Sequence, residues 1–128
     1  MPRLSLAFFT AAAFCGLGGM IWGATMAQSQ DFQLAPAHAH LNLVGWTTLS
    51  IMGTFYALAG EKASARLGWI NFALSTLGVA VIVPALVKLL LGDHSAEPIV
   101  IAGTAITILG MVTFVVSVLS LWLKPKAA

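Results

Sequence analysis

The sequence predicts an all-α, polytopic membrane protein, an up-down four-helix bundle in a single transmembrane domain spanning residues 1–128. Three observations predict it. Only six basic and four acidic residues occur in the 128, while 59% are apolar. The apolar residues fall into four blocks, near 4–27, 37–60, 67–91 and 99–123, each long enough for the roughly 20 residues that cross a hydrocarbon core. The connections, about five to nine residues long, are too short for a second domain and make consecutive helices antiparallel neighbours. The formal charge of +2 gives no footprint for nucleic acid, because the basic residues form no single patch.

The charges also predict orientation. Arg3, Lys62, Arg66, Lys124 and Lys126 fall at the N-terminus, the second connection and the C-terminus, whereas Asp31, Asp93 and Glu97 fall in the first and third connections. The positive-inside rule then places both termini in the cytoplasm (N-in, C-in), with a bacterial inner membrane as the expected location. His38, His40 and His94 are thereby expected on one outer face.

The first block, with Arg3 ahead of it and Thr25-Met26-Ala27 behind it, has the outline of a signal peptide. Its apolar run exceeds the 7–15 residues of such segments, so a retained helix is expected. Within it, Gly19-x-x-x-Gly23 is a small-residue step that lets another helix approach closely. Trp22 fits an interfacial anchor, and the single Cys15 fits a small packing residue.

The second block opens with Pro36, whose fixed φ suits a first helical turn. His38, Asn42, Gly45, Leu49, Met52 and Tyr56 recur at steps of three and four and so share a stripe. The amide and phenol on that stripe would go unsatisfied against lipid, so it should face protein or cofactor. In the third block, Pro84 predicts a kink near residues 80–84, and Lys88 lies one turn from the boundary. Its ammonium is placed either to snorkel to the headgroups or to pair with an anion such as a haem propionate. The fourth block has no charged, Asn, Gln or His side chain inside it and reads as structural or lipid-facing.

The chemistry concentrates in Pro36-Ala37-His38-Ala39-His40-Leu41-Asn42-Leu43-Val44-Gly45-Trp46. Ligating groups at a membrane boundary are costly and point to function, and imidazole is a common ligand of transition metals and haem iron. At about 100° per residue, His38 and His40 point some 200° apart, so a helical HxH serves two different spaces.

The stretch Ala37–Leu43, followed by Ile51-Met52-Gly53, resembles the histidine-x-histidine segment of the tenth transmembrane helix in subunit I of the haem–copper oxygen and nitric oxide reductases. The resemblance implies that His38 would ligate a high-spin haem and His40 a low-spin one. It covers about 17 of 128 residues. The adjacent histidine pair that holds copper in that family has no counterpart here, and no span carries a carboxylate for proton uptake. Oxygen reduction by this chain alone is therefore not expected. Subunit I of the family has twelve helices arranged as three arcs of four, so three copies of a four-helix unit would restore the count.

Two cofactor chemistries follow, beside an accessory role. In the first, haem b is held by His38 and His40, with Asn42, Trp46 and Lys88 around it. A CxxCH motif is absent, which excludes c-type attachment. Because the two imidazoles diverge, the site would be shared between copies of a homo-oligomer, a trimer before a dimer, serving electron transfer or redox or gas sensing. In the second, His38, His40 and His94 converge on copper or zinc at the outer surface, which requires an unwound turn at Pro36. The third is an oxidase assembly or accessory subunit whose histidines bind only headgroups, water and backbone; His94 in Gly92-Asp93-His94-Ser95 fits that description by itself.

Overall fold

A computed structural model describes residues 1–123, which leaves Lys124 and Lys126 of the charge pattern outside the described residues. Four helices are long and apolar enough to cross a membrane. The first is Arg3–Ser29 and the third Ala65–Leu90. The second spans Ala35–Lys62 and the fourth His94–Trp122. No strand occurs among the described residues. The chain is a multi-pass, all-α bundle, as the four apolar blocks predict.

The connections are shorter than the sequence suggests, because polar residues at the block edges continue the helices as 3-10 turns at Gly60–Lys62 and His94–Ala96. Each boundary has a local cause. Gln30 adopts a left-handed conformation (φ 55°) that ends the first helix. Asp31 then accepts from the Gln33 amide at 3.0 Å and turns the chain. Pro36 lies in the first turn of the second helix, where its missing N–H costs nothing. Ser64 caps the third helix by accepting from the Leu67 amide. Gly92, at φ 96°, makes the last reversal.

The third helix does not break at Pro84. Because proline has no N–H, the Ala80 carbonyl four residues back loses its usual donor. Ala80 and Pro84 both border an open apolar cleft of about 320 Å³, with Ala11, Cys15, Leu41 and Leu49 on its other walls.

A glycine-mediated seam holds one side of the bundle. The third and fourth helices pack on Gly78, Gly103 and Gly110: a Cβ added at Gly103 would lie 2.9 Å from the Ile82 backbone nitrogen, and one at Gly110 would lie 3.0 Å from that of Ser75. Gly103, Gly110 and Ser117, seven residues apart, are the buried residues of the fourth helix's α-helical part, Glu97–Trp122. Elsewhere that helix exposes apolar side chains such as Ile101, Ile108 and Val115. It is structural on one stripe and available to lipid on the rest.

Near the other end of the bundle, all four helices meet. Phe8 stacks on Tyr56 with ring centroids 5.5 Å apart, Phe72 meets Phe8 edge-on, and Phe114 meets Phe55. Polar groups bond across the helices here. Ser5 donates to the Gly53 carbonyl at 2.7 Å. Tyr56 donates its hydroxyl to Ser117 at 3.0 Å and accepts from Asn71 at 3.1 Å, and Ser75 donates to Asn71 at 3.0 Å. With no water to substitute, each bond satisfies a group that would otherwise be orphaned. Among the described residues, no buried side-chain nitrogen or oxygen lacks a partner.

Tyr56→Phe should therefore lower stability by about 1–2 kcal/mol, because it orphans an Asn71 donor at a fully buried site. Reversible denaturation in mixed micelles would measure it. A cost near zero would mean that Asn71 finds another acceptor.

Candidate functional site: the histidine turn

The turn Ala35–His40 is α-helical, and the eight residues that follow, Leu41–Thr48, are π-helical before α-helix resumes at Leu49–Ala59. In a π segment each amide reaches back five residues, so the turn is wider and positions four apart stay nearly in line. Thr48 reinforces the wide turn by donating its hydroxyl to the Leu43 carbonyl, five residues back, at 2.7 Å.

The widened turn places His38, Asn42 and Trp46 in one row against the first helix. That helix meets the row with Gly23, Gly19 and Gly16. A Cβ at Gly23 would lie 3.1 Å from His38 Cε1, one at Gly19 would overlap Asn42 Oδ1, and one at Gly16 would lie 3.1 Å from the Trp46 ring. The Gly19-x-x-x-Gly23 step is a site of close helix approach, and its partner is the polar row of the second helix. Gly45, Leu49, Met52 and Tyr56 are buried as their stripe predicts, while His38 and Asn42 are half-buried.

His38 is held from three sides. Its ring meets Trp22 edge-on at 5.9 Å, its Cε1 lies over Gly23, and Asn42 Nδ2 lies 3.0 Å from Nε2. The same Nδ2 lies 3.5 Å from Nδ1, so the Asn42 amide sits against the ring between its two nitrogens, nearer Nε2. Trp22 is thus a packing partner of His38 rather than only an interfacial anchor.

His40 differs. Its Nδ1 lies 2.8 Å from the Pro36 carbonyl. A carbonyl can only accept, so Nδ1 is the donor, and in the neutral tautomer that makes this bond the lone pair is on Nε2. A backbone carbonyl holding one ring nitrogen while the other stays basic is the arrangement that orients metal-ligating histidines. The two imidazoles make separate contacts, as HxH geometry requires.

His94 and Lys88 are exposed in and beside the third connection, which is joined to the first by Gln33 donating to the Leu90 carbonyl at 3.0 Å. All three histidines therefore lie at one end of the bundle. Asp93 accepts from the Ser95 hydroxyl and amide, and those bonds, with the Lys88 and His94 charges, hold its carboxyl below the ordinary aspartate range.

Among the described residues, no three of His, Cys, Asp and Glu gather closely enough to hold a metal ion. The turn at Pro36 is not unwound, so His38, His40 and His94 do not converge as a copper or zinc site would require. Sequence reasoning missed the π segment and the glycine partners of the histidine row. The spacing of Gly16, Gly19 and Gly23 was visible, but nothing in the sequence alone matched it to positions 46, 42 and 38. No family model, curated protein or solved structure matches the chain.

Proposed function

We propose that this chain is a haem b-binding membrane protein in which His40 supplies an axial nitrogen at the boundary between copies of a homo-oligomer. The observation that carries the proposal is the Nδ1 bond from His40 to the Pro36 carbonyl, which leaves Nε2 available to iron on a half-buried side chain. The resemblance to subunit I of the haem–copper reductases points the same way, since His40 matches the second histidine of that pair.

Three further features support the reading. Leu41, the next residue, borders the 320 Å³ apolar cleft, which is at the lower end of the roughly 300–1,000 Å³ of ligand pockets. A second copy would have to complete a slot for a macrocycle; a trimer matches the helix count of the related enzymes, and a two-fold dimer is the other arrangement. Lys88 is exposed at the same end and suits a propionate. His38, with the Asn42 amide against its ring, serves to fix the turn that bears His40, although the resemblance would also give it a haem of its own. Among the described residues the carboxylates of the spanning helices, Glu61 and Glu97, lie in end turns rather than mid-span, so electron transfer or redox or gas sensing fits better than oxygen reduction.

The test is an absorption spectrum of the full chain purified in mild detergent, with haem per chain and the mass of the complex corrected for detergent. A Soret band with sharp reduced α and β bands and a trimeric mass are expected. A colourless protein after haem supplementation overturns the haem reading, and copper or zinc found by metal assay would put a metal in its place. A haem-loaded monomer overturns the shared site.

The orientation belongs to the same proposal. Reporters fused after Lys126 and within residues 93–97 should report cytoplasmic and outer compartments respectively. The opposite result would move all three histidines to the cytoplasmic face.

A further inference from the structure

At the end of the bundle away from the histidines, a cleft of about 570 Å³ opens between the start of the first helix, the end of the second and the start of the third. Leu4, Tyr56 and Ala63 give it an apolar interior, and Ser64, Ala65 and Glu61 stand along it. The Tyr56 hydroxyl is committed to Ser117, so only its ring faces a guest. The Ser64 oxygen accepts from the Leu67 amide, which leaves its hydroxyl proton to donate.

The charges around this cleft are unbalanced. Arg3, Lys62 and Arg66 are exposed, and each is the chain neighbour of a lining residue: Leu4, Ala63 and Ala65. Glu61 is the only carboxylate in these segments. The cleft lies where the spans end, at the depth of lipid headgroups, and basic pockets between helices at that depth recognise anionic lipids. We propose that this cleft binds the headgroup and glycerol of an anionic phospholipid, with Arg3 and Arg66 pairing with the phosphodiester and Leu4, Tyr56 and Ala63 packing on the glycerol and upper acyl carbons. Arg3 and Arg66 beside the cleft outnumber its one lining carboxylate, Glu61, and this net positive charge favours an anionic lipid over a zwitterionic one. It does not depend on whether haem is bound at the other end.

Native mass spectrometry of the full chain, titrated with phosphatidylglycerol or with phosphatidylcholine of the same acyl chains, tests the proposal. The anionic lipid should be retained about tenfold better. R3Q/R66Q should bring the two lipids to parity. A65W keeps every cation but fills the cleft, and it too should abolish the preference; A65L serves the same purpose if the larger side chain disturbs folding, judged by circular dichroism. Equal binding of the two lipids by the parent overturns the proposal. So does an undiminished preference in a folded cleft-filling variant, which would mean general attraction to the basic surface. Displacement of the lipid by soluble glycerol phosphate would make a free phosphate the occupant and overturn it as well.

Discussion

On the proposed haem site, replacing His40 with alanine should abolish the Soret band, while His94→Ala leaves it at full height. The difference follows from how the side chains are held. The neutral tautomer of His40 that donates from Nδ1 to the Pro36 carbonyl has its lone pair on Nε2, so binding iron requires no change of tautomer. His94 sits exposed in a three-residue turn, and among the described residues no side-chain hydrogen bond aligns its ring. His38→Ala is predicted to shift the band and weaken haem retention by less than His40→Ala does, because His38 acts on the turn and does not touch His40. Without His38, Asn42 loses its partner and Trp22 its edge contact, and the turn carrying His40 loosens. Added imidazole should restore part of the absorbance to His40→Ala, because it enters the space the side chain vacates. Full haem occupancy with an unchanged spectrum in His40→Ala would remove it from the ligand set. The same outcome confined to His38→Ala would make that residue a packing element only.

The parts of this fold that were legible in the sequence are those fixed by composition and simple periodicity. The four spans, their order and the inward stripe from Gly45 to Tyr56 follow from apolar block length and steps of three and four. The divergence of His38 and His40 follows from helix geometry, which holds in the α-helical turn where they sit. The π segment was not legible. Its wide turn is stabilised by tertiary contacts, Asn42 on Gly19 and Trp46 on Gly16, and Leu41–Thr48 has no local composition that distinguishes it from an α-helix. The tautomer of His40 was likewise hidden, since it depends on where one carbonyl lies. At Pro84 the helix stays continuous, and Ala80 and Pro84 border the apolar cleft, a feature that proline chemistry alone does not specify.

The glycines give the second large effect, and they separate assembly of the bundle from formation of its site. Replacing a helical glycine by alanine gains about 1 kcal/mol of helix propensity, so the outcome depends on what the new methyl meets. At Gly18 the nearest atom is Leu41 Cδ2 at 3.8 Å, an ordinary contact, and Gly18→Ala should be neutral or slightly stabilising. At Gly103 the methyl meets the Ile82 backbone, with nitrogen at 2.9 Å and Cα at 3.0 Å. Backbone cannot turn aside, so the third and fourth helices must separate along the whole seam. Gly103→Ala should cost about 1–3 kcal/mol net, and Gly103→Leu should prevent the pair from closing. Gly19 is the informative third case, because the methyl there overlaps the Asn42 amide, the far end of a side chain that can rotate. Gly19→Ala should leave stability within about 1 kcal/mol of the parent while breaking the Asn42–His38 bond. Denaturation in mixed micelles measures the first quantity and the haem spectrum reports the second. The expected pattern is Gly103→Ala destabilised with its spectrum intact and Gly19→Ala stable with its spectrum altered. If both variants lost stability and colour together, the histidine row would be no more than part of the packing between the first two helices.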